Sequence, residues 1–166
     1  MRLPLLAVAA AAAVLVSGCG SSKTEHKALT PRDRFVQRAD AFCTAQAAQF
    51  RKIPPISTDA GRDLAGLKPR PKSFKELGRF TDEVQRVSNA NLRKFRALPR
   101  PKGDALVTRW TAAYLDTLKA LQLYHLAAVS ENTVVLQGAE KRNEQTQSRY
   151  RKLSVKLGFK VCGGSV

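Results

Sequence analysis

The side chains able to do covalent or acid–base chemistry are few. The 166-residue chain holds three cysteines (Cys19, Cys43, Cys162), two histidines (His26, His125) and one methionine, Met1. No second Cys or His stands at ligand spacing from Cys43 or Cys162, which argues against a zinc site. A CxxC redox pair is absent. So are GxSxG, HExxH, a phosphate-cradling glycine loop and the Rossmann glycines. Asp82 and Glu83 are adjacent acids, but neighbouring helix positions do not face one another. His26 falls in a polar, aperiodic stretch, so a His-dependent mechanism would rest on His125 alone. These residues point to no catalytic group, no cofactor and no metal. Sulfur chemistry is what remains.

Cys19 follows an uncharged apolar run, residues 3–16, with Arg2 in front of it. Such a run is shorter than the ~18–20 residues that span a bilayer and suits a signal-peptide core. The residues Val16-Ser17-Gly18-Cys19 then resemble a bacterial lipobox, in which the cysteine is acylated and becomes the new N-terminus. Residues 1–18 are thus expected to be a lipoprotein signal peptide. Residues 19–29 are expected to be the lipidated cysteine and a flexible tether, reaching about 16–19 Å by the coil estimate. Two acyl chains suffice for stable anchoring, at ~0.8 kcal/mol per buried CH₂. The expected location is the outer face of the cell membrane, with palmitate-type acylation on Cys19.

With Cys19 acylated, Cys43 and Cys162 are left as an even pair in an oxidising compartment. A disulfide between them is expected. The chain-entropy model gives it roughly 4–5 kcal/mol for a loop of ~100 residues.

The remainder, residues 30–166, has the length of one domain able to bury a core. Its apolar pattern is helical throughout, with no stretch of period-2 alternation. Thr30-Pro31-Arg32-Asp33 carries the N-cap, N1 proline and N3 acid of a helix start. Phe35, Ala39, Phe42, Gln46, Phe50 and Ile53 follow as one face, ended by Pro54-Pro55. A long connection over residues 54–72 follows, with a turn or two of helix around 58–67 and an extended 68–72. Ser73 to Glu76 is taken as the capping box of a second helix, whose stripe is Leu77, Phe80, Val84, Val87, Asn91 and Leu98. Asp104 caps a third, with Val107, Trp110, Tyr114, Leu118, Leu121, His125 and Ala128 inward. Its few charges predict the most buried helix of the set, with His125 a core or boundary histidine held by one hydrogen bond. After the turn 130–132, a fourth helix from Thr133 turns Val135, Ala139, Thr146, Tyr150, Leu153 and Leu157 inward and ends at Gly158. The expected fold is all-α: a four-helix up-down bundle closed by a disulfide between helix one and the C-terminal tail.

Ala39-Asp40-Ala41-Phe42-Cys43, together with Leu157-Gly158-Phe159-Lys160-Val161-Cys162, resembles a loose group of small actinobacterial extracytoplasmic lipoproteins. The resemblance implies a secreted helical domain, a disulfide and a cell-surface location. It carries over no activity and no catalytic residue.

The last signal is charge. Past residue 18 there are 28 Lys and Arg against 13 acids. Two runs lack any acid: Arg93, Lys94, Arg96, Arg100 and Lys102, then Arg149, Arg151, Lys152, Lys156 and Lys160. In an up-down bundle both runs lie at the pole where the tether enters. Arg93, Lys94, Arg96, Arg100, Lys102, Arg149, Lys152 and Lys156 are the candidate contacts to an anionic surface, either lipid or envelope polymer. The expected role is a membrane-anchored, non-enzymatic binding or structural module. The alternative is an interaction module for an envelope protein. Nucleic acid fits the charge, but export and the scarcity of interleaved aromatics argue against it. A small ligand inside the bundle would need a cavity near His125, Trp110 and Tyr114.

Overall fold

The computed structural model describes residues 28–57 and 71–164. Four helices run α1 (Pro31–Phe50), α2 (Pro71–Arg96), α3 (Ala105–Val129) and α4 (Thr133–Leu157), and there is no strand among the described residues. They form the four-helix bundle that the sequence pattern demands. The expected helical turns at 58–67, and Cys19 with its flanks, lie outside the described residues.

Local chemistry sets most of the helix ends. The Thr30 hydroxyl accepts from the Asp33 N–H at 3.1 Å, and the Asp33 carboxylate accepts from the Thr30 N–H at 3.1 Å. Asp104 Oδ1 accepts from the N–H groups of Leu106 and Val107, and Asn132 Oδ1 from that of Val135. Gly158 ends α4 at φ +78°, the left-handed conformation that glycine adopts without strain.

Helix α2 departs from expectation. It begins at Pro71, so Pro71 and Lys72 are helical rather than extended, and Ser73 is a buried first-turn residue rather than the cap. Proline is suited to the first helical position, where its missing N–H costs nothing.

Two apolar clusters fill the bundle. The larger, nearer the pole where α1 starts, joins Phe35, Phe95, Trp110, Tyr114, Tyr150, Leu153 and the two cysteines. The Phe95 and Tyr114 rings stack with centroids 4.0 Å apart, and Phe35 meets Trp110 edge-on at 5.7 Å. Such pairs add about 0.5–1.5 kcal/mol each beyond area burial. The smaller cluster, near the opposite pole, holds Phe74, Leu77, Ala127, Ala128, Leu136 and Ala139. Along α2 the two are separated by Thr81, Ser88 and Asn91, all buried. Each bonds the carbonyl four residues back: Thr81 to Leu77, Ser88 to Val84 and Asn91 to Val87. That pairing lets polar residues occupy a core face at little cost.

This band alters two expectations. Helix α2 buries nine residues, 73, 74, 77, 78, 81, 87, 88, 91 and 95, against eight on α3, so the two helices are buried to a similar extent. Phe95, only 1% exposed, is the central α2 residue that a stripe carried from Asn91 to Leu98 passed over. On α4 the inward residue is Leu136 rather than Val135, which is exposed, because the helix phase set by Ala139 and Tyr150 points one residue later.

The disulfide joins Cys43 to Cys162, with Cα atoms 5.3 Å apart and a sequence separation of 119. It ties α1 to the tail beyond α4. The tail is also held by one side chain. Asp40 accepts the backbone N–H groups of Lys160, Val161 and Cys162 at 2.8, 2.9 and 3.0 Å. Phe159 packs beside this clamp against Trp110, centroids 4.7 Å apart.

Candidate anionic-surface interface

Of the three residues named for a ligand cavity, Trp110 and Tyr114 lie in the packed larger cluster. Trp110 is fully buried and Tyr114 nearly so, each surrounded by other rings. The Trp110 indole N–H donates to the Ser154 hydroxyl at 2.9 Å, and that hydroxyl donates to the Tyr150 carbonyl. Gln46 Nε2 donates to the Tyr114 hydroxyl at 3.0 Å. His125 is part-buried, with Nδ1 3.0 Å from the Thr81 hydroxyl. The Thr81 hydroxyl also lies within hydrogen-bond distance of the Leu77 carbonyl, so donating there leaves it free to accept from a protonated Nδ1. Burial raises the phenols of Tyr114, Tyr124 and Tyr150 above the ordinary tyrosine value. No group of three or more His, Cys, Asp or Glu among the described residues could hold a metal.

The basic residues lie outside. Arg93, Lys94, Arg96, Arg100, Lys102, Arg149, Lys152 and Lys156 are all exposed. Antiparallel packing places the end of α2, the start of α3 and the end of α4 at the pole where α1 begins. The Arg32–Asp104 ion pair, at 2.6 Å, joins the starts of α1 and α3 there. Trp110–Ser154 and Arg149–Asp116 fix the antiparallel register of α3 and α4.

These cations are not equivalent. Arg100 folds back on α2, donating to the Phe95 and Arg96 carbonyls and lying 5.4 Å over the Phe95 ring. It neutralises the α2 C-terminus and is partly spent on the fold. Arg149 lies 3.5 Å from Asp116, an exposed and therefore weak pair. Among the described residues none of the other six lies within ion-pair distance of a carboxylate. The Asp104 carboxyl is held below its ordinary value. The hydrogen bond from Arg32 is the main cause, aided by the two N–H groups it caps.

The surface is shaped as well as charged. A depression of about 580 Å³ runs along the α3/α4 seam between Arg109, Arg149, Lys152 and Lys156, over the buried Leu153. A broader one of about 1100 Å³ continues from Arg109 past Lys102 to Thr30. Arg109 was missed by the sequence reading. It stands alone in its stretch of α3, and only the register with α4 sets it opposite Lys152 and Lys156.

No helix among the described residues is long and apolar enough to cross a membrane. No protein-family model, curated protein or solved structure matches the chain.

Proposed function

We propose that the protein is a lipid-anchored envelope module, resembling the small extracytoplasmic lipoproteins named above, and that its work is binding or structural rather than catalytic. In this reading Cys19 carries the acyl chains and residues 20–29 tether the bundle close to the bilayer. The basic pole then faces anionic lipid or envelope polymer and orients the helices. The observation that carries it is the coincidence of unneutralised cations with the chain's point of entry. Arg93, Lys94, Arg96, Lys102, Lys152 and Lys156 are exposed at the pole where Thr30 starts α1, with no carboxylate among the described residues within ion-pair distance. Each cation near an anionic surface contributes up to ~1 kcal/mol, within a Debye length of ~8–10 Å.

Two measurements test it. Labelled palmitate should enter the wild-type protein in a bacterial host that processes lipoproteins, and Cys19→Ala should abolish both labelling and membrane fractionation. Phosphatidylglycerol vesicles should retain the detergent-free, unacylated Cys19→Ala protein at low salt, and phosphatidylcholine vesicles should not. Equal binding to the two vesicles removes the orienting role. Unchanged fractionation of the variant removes the anchor.

A further inference from the structure

We infer that the tether-proximal end of the α3/α4 seam is a binding site for a linear phosphate polymer, with Arg109, Lys152 and Lys156 as its anion-holding residues. This deepens the reading above and rests on it for the supply of such a polymer at the cell surface.

The argument begins with helical spacing. Gln145, Ser148, Arg149, Lys152 and Lys156 recur at three and four and form one straight stripe on α4. Lys152 stands about 4.5 Å of helix rise beyond Arg149, and Lys156 about 6 Å further. The cations thus follow one another along the groove, a layout suited to successive charges of a chain rather than to one ion. Arg109 faces them from α3 and lines both depressions, so it links the seam to the path past Lys102. Its planar guanidinium can hold two phosphate oxygens at once, and the lysines act as point charges. The Ser148 hydroxyl adds a neutral donor on the same wall.

The groove is also polarised. Its acids, Glu144 on the wall and Asp116 paired to Arg149, sit at the end away from the tether. They repel an anion there and confine it to the Arg109–Lys152–Lys156 end. The floor, Leu153, is apolar and buried, which excludes water from beneath the charges and strengthens them.

Two features choose the ligand class. The groove runs lengthwise between α3 and α4 along the side of the bundle, a linear track rather than a flat patch across its pole. Its lining holds no aromatic residue, so it lacks the stacking platforms by which single-stranded nucleic acid is held. A phosphate chain without bases, of the polyol-phosphate or polyphosphate kind, meets both conditions.

The test uses the full-length protein in uncharged detergent, with fluorescent inorganic polyphosphate as the probe and anisotropy as the readout. Two charge-reversed pairs with the same net change are compared: Arg109→Glu with Lys152→Glu, and Arg93→Glu with Lys94→Glu. The groove pair should weaken polyphosphate binding at least about tenfold, the effect of one lost charge-assisted contact, and the α2 pair far less. Lys152→Gln with Lys156→Gln should reproduce the loss without introducing repulsion. Circular dichroism and Trp110 emission check the fold of each. Equal losses in the two reversed pairs overturn the inference, as does tighter binding of polyglutamate or single-stranded DNA than of polyphosphate. If wild type ignores polyphosphate yet the unacylated Cys19→Ala protein prefers phosphatidylglycerol to phosphatidylcholine vesicles, the groove fails and the oriented-pole reading stands. If it binds neither at low salt, both fail.

Discussion

Replacing Asp40 with alanine isolates the clamp from the disulfide that lies beside it. The carboxylate holds three backbone N–H groups at 2.8–3.0 Å, on residues 160–162. A hydrogen bond to a charged acceptor contributes about 1.5–3 kcal/mol when sheltered. Two of these three are exposed and the third is part-buried, so about 1 kcal/mol each is the appropriate scale. Asp40→Ala should therefore cost about 2–3 kcal/mol with the disulfide intact. At about 4 °C per kcal/mol for a domain of this size, the melting temperature should fall roughly 8–12 °C. Asp40→Asn should cost less, because its amide keeps one accepting oxygen while its NH₂ opposes a backbone N–H. Calorimetry gives the global loss, and amide exchange at Lys160, Val161 and Cys162 gives the local one. Those three amides should lose protection in Asp40→Ala while the α3 amides keep theirs relative to global stability. A drop below about 0.5 kcal/mol, the range of an ordinary surface substitution, or unchanged protection of those amides, would refute the reasoning.

Other perturbations read other parts of the bundle. All three tyrosines have phenols raised by burial, so the native protein should show less tyrosinate absorbance than the unfolded chain as pH passes about 10, the ordinary value. The unfolded chain ionises first, so stability should fall as pH rises above that point, with tyrosinate and unfolding appearing together. Asp104 works in the opposite direction. Its folded value is lowered, so its contribution is complete above the ordinary carboxylate value of about 4 and is lost as pH falls through the depressed one. Asp104→Ala should cost about 0.5–2 kcal/mol at neutral pH, the usual loss of an N-cap, and its difference from wild type should shrink in acid melts. Gly163→Ala should displace the tail. At φ +83° its new Cβ would meet the Ser154 hydroxyl at 2.6 Å, and increased exchange around residues 159–164 would report it.

What the sequence revealed followed the range of the interactions involved. Thr30, Asp104 and Gly158 could be read because a cap is satisfied within three or four residues. Ser73 misled for the same reason: it has the composition of a cap, but Pro71 two residues earlier already fits the first turn. Thr81 and Ser88 were passed over because their burial depends on back-bonds that hydropathy does not register, and Phe95 because the stripe was carried from Asn91 to Leu98. Val135 was chosen over Leu136 because a thin stripe leaves the phase of α4 loose. Asp40 gave no sign of its role, since its partners are main-chain N–H groups 120 and more residues away. The cations at the end of α4 were legible as a run, whereas Arg109 needed the antiparallel register to acquire neighbours.

The position of Cys162 beyond α4 also sets an order of events. A chain made N-terminus first presents Cys43 long before Cys162 has been added. The thiol on α1 must wait, reduced or transiently paired with another molecule, until every helix has been released. Closure of this bond therefore waits until the segments that form all four helices have been made.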